Sequence, residues 1–548
     1  MIRRRGRAFA ALSIAILVAV PCHAFAATRA IRGDPVATDA GSIAGTELAS
    51  GVRAYLGVPF AAPPVRELRW RPPQPVAPWQ GTYHADRTAP ECIQTLRAHD
   101  INHYFGEEAT SEDCLYLNIW APPRAADARL LPVLVWIYGG GFTIGSASMA
   151  NYSGERLAGK GVVYVALAYR VGALGFLAHP QLSAESPQHV SGNYGFLDQI
   201  AALHWIQRNI AQFGGDPHNV TIMGQSAGSA SVSVLQASPL SRGLFHRAVG
   251  MSGSVLGPNM PRARPLGEGE EWGRELQAIL KAPSLEAMRQ LAADRILAVQ
   301  GTTGRYGPLI DGWLLPEEPS AIFAVGKQND IPIMIGYTRD EGFNAFNQVM
   351  TLAGYREQAR AYGEYASDLL RLYPADSDAQ ARRAALDVGR DATLGLQMRS
   401  WARAQTHSGK ASAYLYLFSR VHPYVPGVRF ADHDPETVGA YHTGDVPYWL
   451  QTLDSLNLFR ATRAWTAYDR ELSQRMSDAI VSFARTGTPA LGGGVEWPAY
   501  RANDEHVVEL GDAVRIIPLP NSAKMDFLVD HAPQEAARGE GARPRSRD

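Results

Sequence analysis

The stretch Val220-Thr221-Ile222-Met223-Gly224-Gln225-Ser226-Ala227-Gly228-Ser229 constrains this chain more than any other. An apolar, β-prone run enters a Gly-x-Ser-x-Gly turn and leaves into small, helix-compatible residues, the strand, sharp turn and helix layout that puts a serine at the tip of an elbow. Such a turn strains the backbone at Ser226 and leaves almost no room beside it, so glycine on both sides has a steric reason. The pattern alone is cheap. With 52 glycines in 548 residues, roughly 0.3 such matches arise by chance, so the surroundings must decide.

Those surroundings read as an open, mostly parallel α/β sheet. The apolar runs Leu131–Ile137 and Val162–Ala168 are continuous and bounded by glycine, as strands buried on both faces are. Between Phe196 and Ile210 the spacing of Leu197, Ile200, Leu203 and Ile206 predicts a helix, closed by Phe213-Gly214-Gly215 just before the elbow strand. Strand, helix, strand, elbow, helix is the order of a doubly wound fold. Ile331–Gly336 and Ala413–Phe418 predict further strands, Glu112–Trp120 an alternating one, and Ser473–Thr486 a helix. Residues 264–300 and 353–408 carry amphipathic helical patterns and read as cap-like insertions around a site. Gly41–Gly45 reads as a hairpin corner. The proline-rich run Arg69–Pro75 cannot ladder within a sheet and reads as a surface strap.

Residues 1–26 have an export pattern: an arginine cluster, an apolar run from Ala8 to Val20, and Ala24-Phe25-Ala26 as a cleavage site. A run of 13 residues falls short of the ~20 that a spanning helix needs, so a cleaved signal peptide is expected rather than a stable membrane anchor. The mature chain is then one domain over 27–531, with a polar tail over 532–548 expected to be disordered. Formal charge is −1, and loss of Arg3, Arg4, Arg5 and Arg7 with the leader takes it to −5. Neither value suggests a nucleic-acid partner. Cys92 and Cys114 remain after cleavage, and an even pair in an exported, periplasmic or secreted protein reads as a disulfide, two buried thiols being the alternative.

A serine hydroxyl is a poor nucleophile at neutral pH, so Ser226 needs a base for its proton and donors for the developing oxyanion. Tyr138-Gly139-Gly140-Gly141-Phe142 follows the first buried strand, where side-chain-free residues let backbone N–H groups approach a tetrahedral oxygen. The N–H of Ala227 is a further donor. The elbow layout predicts the chain order serine, acid, histidine. His442 has turn-forming neighbours, whereas His204 belongs to a helix face, His246 to a helix end and His433 to an acidic loop. Glu341 follows the strand at 331–335 and fits as the acid, although an exposed loop carboxylate is an equal reading of the pattern alone. Phe142, Trp313, Tyr448 and Trp449 are candidates for a pocket lining, with core packing the commoner use of such rings.

Taken together, the chain resembles a type-B carboxylesterase, the α/β-hydrolase family that includes carboxylesterases, cholinesterases and some lipases. The resemblance rests on Gly57-Val58-Pro59-Phe60-Ala61, Glu112–Asn118, Tyr138–Phe142, Gly192-Asn193-Tyr194-Gly195, Phe213–Pro217, Gly224–Gly228, Asp340-Glu341-Gly342, Ala440-Tyr441-His442 and Phe483–Gly487, in order along the mature chain. It implies Ser226 as nucleophile, His442 as base then acid, Glu341 as the carboxylate that fixes the imidazole tautomer, and an oxyanion hole from Gly140, Gly141 and Ala227. It also implies a Cys92–Cys114 bridge, a small-molecule ester as substrate, and no metal or cofactor. Two departures stand out. Gln225 occupies a position where many members, cholinesterases included, have glutamate, and Arg66 occupies one where relatives commonly have glycine. The expected activity is ester hydrolysis through an acyl-enzyme. A non-catalytic cholinesterase-like binding module, or an esterase specialised for an aryl or larger natural-product ester, are the alternatives.

Overall fold

The buried apolar runs lie side by side at the centre of a 12-stranded sheet. We describe the protein from a computed structural model covering residues 28–532, apart from 98–99, 103–108, 124–128, 258–262 and 303–305. The expected leader, and all but the first residue of the expected tail, fall outside the described residues. In chain order the strands are β1 (Arg29–Ala30), β2 (Thr46–Glu47), β3 (Arg53–Pro59), β4 (Tyr116–Ala121), β5 (Leu131–Ile137), β6 (Val163–Leu167), β7 (Gly215–Gln225), β8 (Arg247–Met251), β9 (Ile333–Thr338), β10 (Ala413–Phe418), β11 (His506–Leu510) and β12 (Val514–Pro518).

Their order across the sheet is β1-β2-β3-β4-β6-β5-β7-β8-β9-β10-β11-β12. The run from β6 to β11 is parallel throughout, while β1 to β4 at one edge and β12 at the other pair antiparallel. Residues Val133 to Ile137 are all fully buried, which requires cover on both faces and explains why the run shows no alternation. Helices α1 (Tyr194–Asn209), α2 (Ala227–Ala237) and α3 (Ala467–Thr486) pack against this parallel centre.

Several elements differ from the sequence reading, each for a local reason. Only Gly41 of Gly41–Gly45 belongs to a hairpin corner, accepting the Thr38 N–H at 2.9 Å; Ser42–Ala44 is itself a short strand between Val36–Ala37 and Thr82–His84 in a separate three-stranded sheet. Gly45 passes the chain from that sheet to β2, and a Cβ there would stand 2.4 Å from the Ala54 carbonyl oxygen. The strap at 69–75 forms no strand, yet its first residues are buried. Arg69 makes a bidentate bond to Glu112, and the Trp70 indole donates to the Ala173 carbonyl at 2.9 Å. Strand β4 starts four residues later than expected and is buried on both sides rather than alternating. Helix α3 begins six residues before Ser473, because Thr466 and Asp469 close a reciprocal capping box, with aspartate doing what glutamate usually does. Arg66, where relatives commonly have glycine, has φ +51°, so the backbone there demands the conformation that glycine adopts without cost.

The helical insertions form two groups. Helices 266–280, 285–290 and 293–297 share an apolar cluster with Trp70, Leu174 and Tyr194. Those between 352 and 392 build another around Tyr355, Leu369, Tyr373 and Val388. The cap-like reading of 353–408 is too long, because helix Leu394–Ser408 belongs to the main body. Its Trp401 is fully buried and donates to Gln236 of α2 at 2.7 Å.

The turn after β6 is tied to α1 by one buried pair. Arg170 makes a bidentate bond to Asp198 at 2.8 and 2.7 Å, and its own N–H donates to the same carboxylate at 3.0 Å. Removing one partner strands a buried charge, which costs about 3–5 kcal/mol. Asp198→Ala should therefore lose that much in equilibrium urea unfolding; a loss under about 1 kcal/mol would show that the pair ties nothing down.

Candidate active site

The elbow comes first, because everything else is placed relative to it. Ser226 follows the last residue of β7 with φ 57° and ψ −123°, and α2 starts at the next residue. That conformation is strained for a residue with a side chain and survives only where packing leaves no alternative. Here three glycines allow the approach. A Cβ on Gly228 would stand 2.0 Å from the Ile137 carbonyl oxygen, one on Gly224 2.5 Å from the Gly228 backbone, and one on Gly253 2.3 Å from the Ser226 carbonyl oxygen. The Ser226 N–H donates to the Met251 carbonyl at 2.8 Å, pinning the turn to the end of β8.

Parallel register brings the glycine loop alongside. Ile137 pairs with Gly224, so β5 and β7 end together and Tyr138–Phe142 leaves the sheet beside the elbow. Gly140 and Gly141 have φ +115° and +61°, both in glycine territory. Gly139 lies so near the elbow that a Cβ would meet the Gln225 carbonyl oxygen at 2.5 Å. The loop is fixed at each end. Tyr138 and Tyr169 stack at 4.3 Å, each hydroxyl donating to the other's carbonyl at 2.6 and 2.9 Å. At the far end Gln94 exchanges two hydrogen bonds with the Gly145 backbone, at 2.8 and 2.7 Å. Gln94 is itself held two residues from Cys92, which is disulfide-bonded to Cys114. Nothing in the sequence pointed to that brace.

Glu341 and His442 arrive from the ends of β9 and β10. Glu341 is buried; its Oε1 accepts the Thr338 N–H at 2.9 Å and its Oε2 lies 2.6 Å from His442 Nδ1. An ionised carboxylate only accepts, so Nδ1 carries the hydrogen and the Nε2 lone pair is left free to receive one. Nε2 lies 3.0 Å from the Gln225 side-chain nitrogen. Phe343, an exposed ring absent from the sequence reading, meets the imidazole edge-on at 4.8 Å.

The acid and histidine loops are stitched together through Asp340. Its N–H donates to the Ala440 carbonyl at 3.0 Å, and its carboxylate accepts the Ala440 N–H at 2.8 Å. Burial alone would raise the Asp340 pKa, but the guanidinium groups of Arg339 and Arg383 hold it below the usual carboxylate range. Gly439 has φ +65°, and any Cβ there would collide with this carboxylate at 2.2 Å. From the other side His422, fully buried, donates from Nε2 to the Gly444 carbonyl at 2.8 Å and accepts the Tyr441 hydroxyl at Nδ1 at 3.2 Å. Asp445 is buried as well, its carboxyl pushed up to about 6 by burial, with the Tyr416 hydroxyl donating to it at 2.7 Å.

Ser226, Ala227, Gly140, Gly141 and His442 all open onto one cavity of about 750 Å³. Phe142 and Tyr441 help to line it, and so does His433, which the sequence reading had left in an acidic loop. Trp313 faces a different cavity of about 330 Å³, while Tyr448 and Trp449 are buried in the main core. His204 sits exposed on α1. His246 precedes β8 rather than ending a helix, and its Nδ1 accepts the Val220 N–H at 3.2 Å.

Residues 33–528 match the sequence model described as the carboxylesterase family. The chain belongs to that family. It is 39% identical to the fumonisin B1 esterase of Sphingopyxis macrogoltabida over 85% of each chain. It is 33% identical to the para-nitrobenzyl esterase of Bacillus subtilis strain 168, covering 90% of this chain and 98% of that one. A solved structure of a PNB esterase superposes with a TM-score of 0.76 at 30% identity, over 90% of this chain and 99% of that chain. The fold is that of an α/β-hydrolase, and the protein is a carboxylic ester hydrolase. Among the described residues no helix is long and apolar enough to cross a membrane.

His422 should make the loop that carries His442 sensitive to acid. Burial pushes its pKa down to about 3, with Arg463 adding to the effect, whereas the unfolded ring titrates near ~6.5. A depressed value favours the neutral folded form, so this stability is complete above pH ~6.5 and is lost as pH falls towards about 3. About 2 kcal/mol should be gone by pH ~5. His422→Gln should flatten the dependence of melting temperature on pH between about 7.5 and 5; equal slopes for both proteins would rule out His422 as the acid-sensitive group.

Proposed function

We propose that Ser226 is the nucleophile, His442 the general base and then acid, and Glu341 the carboxylate that holds the imidazole in the Nδ1–H tautomer. The observation that carries this reading is the 2.6 Å bond from Glu341 to His442, whose other nitrogen faces the elbow residues in the cavity that Ser226 lines. Ser226 Oγ attacks the ester carbonyl as His442 Nε2 takes its proton. The N–H groups of Gly140, Gly141 and Ala227 receive the negative oxygen, and the helix that begins at Ala227 adds its positive end. His442 returns the proton to the leaving alcohol, then activates a water that releases the acid and regenerates Ser226.

We also read the protein as exported. Its leader pattern and its disulfide both suit an oxidising compartment. Within ester hydrolysis, a cavity of about 750 Å³ leaves room for a bulky aryl or natural-product ester, in keeping with a relative named for fumonisin B1.

Ser226→Ala should abolish p-nitrophenyl ester hydrolysis and fluorophosphonate labelling with little change in melting temperature. Residual turnover above about one per cent would reassign the nucleophile. Glu341→Gln should lower kcat by about 10³–10⁴-fold, because the amide favours the wrong imidazole tautomer; a loss under about tenfold would point to another acid. Hydrolysis of acetyl to dodecanoyl esters, beside aryl esters of growing bulk, tests the pocket: kcat/KM falling steadily with size would exclude a large substrate.

A further inference from the structure

We infer that Gln225 is a positioning residue which occupies the lone pair of the base in the resting enzyme, so that Ser226 must displace a neighbouring amide before it can be deprotonated. This rests on the roles proposed above for Ser226 and His442. Three observations carry it.

The tautomer is fixed first. Glu341 Oε2 lies 2.6 Å from His442 Nδ1, so the hydrogen is there and Nε2 is the accepting atom. The atom at 3.0 Å from Nε2 is the Gln225 amide nitrogen, which has only hydrogens to offer. The bond therefore runs from Gln225 to the imidazole, on the lone pair that a serine proton needs. Second, Gln225 and Ser226 are consecutive residues of one rigid strand end, both on the cavity that His442 lines. Two donors from adjacent positions compete for one acceptor. Third, the side chain is held in place: Gln225 is 1% exposed, and its amide oxygen lies against Gly139, where a Cβ would meet it at 3.0 Å.

The chemistry of the group then sets what it does. An amide N–H can be donated to Nε2 only while that nitrogen is unprotonated, so the bond must be given up before Nε2 takes a proton. Once Ser226 has given up its proton, Nε2 becomes a donor and the N–H of Gln225 has nothing to bind there. A glutamate at this position could only accept, and so would bond imidazolium and not the neutral ring. Glutamine here makes each protonation of Nε2, by Ser226 or by solvent, cost one hydrogen bond.

The acid limb of kcat/KM for p-nitrophenyl acetate, followed from about pH 5 to 9, tests this with Gln225→Met and Gln225→Glu. The other groups that face His442 are Glu341, Phe343 and Asp445, with Arg97, Asp432 and His433 around the cavity. All are unchanged in the variants, so the displacement from wild type isolates Gln225. Methionine keeps the shape and loses the donor. Its limb should move up by about half a unit to one unit, the effect of one hydrogen bond, with kcat/KM on the alkaline plateau at or above wild type. Glutamate should move the limb further. Coincident limbs for wild type and methionine, or a plateau loss beyond about a hundredfold at an unchanged melting temperature, would overturn the inference. If the methionine variant does not fold, Gln225→Ala decides: an upward shift of its limb supports the inference and a coincident limb sinks it. Fluorophosphonate labelling of wild-type Ser226 is scored beforehand. Its absence defeats the serine-esterase reading and this inference with it, whereas labelling with coincident limbs defeats the inference alone.

Discussion

The site depends on the shared ending of β5 and β7. Because Ile137 pairs with Gly224 in parallel register, two chain ends leave the sheet within van der Waals reach, and only glycine fits between them. Gly228 lies against the Ile137 carbonyl and Gly139 against the Gln225 carbonyl. A shift of one residue in that register would move every side chain of a fully buried strand to the opposite face. The strain at Ser226 is thus held by the best-packed part of the molecule, and loops need not supply the rigidity.

The remaining groups reach this point by different means. Glu341 is set by a three-residue turn after β9 that closes on its own Thr338 N–H. His442 comes from a long excursion after β10, and its position is borrowed: Asp340 grips Ala440, and His422 grips Tyr441 and Gly444. The glycine loop is held by paired tyrosines at one end and Gln94 at the other. Each attachment is a short polar bond in a buried place, where an unmade partner is costly.

What the sequence made legible follows from which forces are local. Continuous apolar runs identified β5 and β6, because burial on both faces leaves that trace in any window of seven residues. The elbow and the glycine loop were legible because steric exclusion of side chains is written as glycine. The bracing was not, since Asp340, His422 and Gln94 act on backbone groups 100, 22 and 51 residues away, and no pattern within one element reports such a partner. Helix Leu394–Ser408 was assigned to the cap for a related reason: its amphipathic spacing states that one face is buried without stating against what. Arg66 is the opposite case, where resemblance marked an odd residue and a left-handed backbone gives the departure its meaning.

The double grip on Ala440 and Gly444 separates placement of the imidazole from the course of the chain that delivers it. Between Pro423 and Val438, beyond the anchoring His422, the polypeptide walls a second cavity of about 700 Å³ beside the one that Ser226 lines. Insertions or substitutions along that excursion can remodel the cavity's entrance while the ring stays anchored. In this architecture, a segment tethered at both ends can vary in shape without moving the imidazole that follows it.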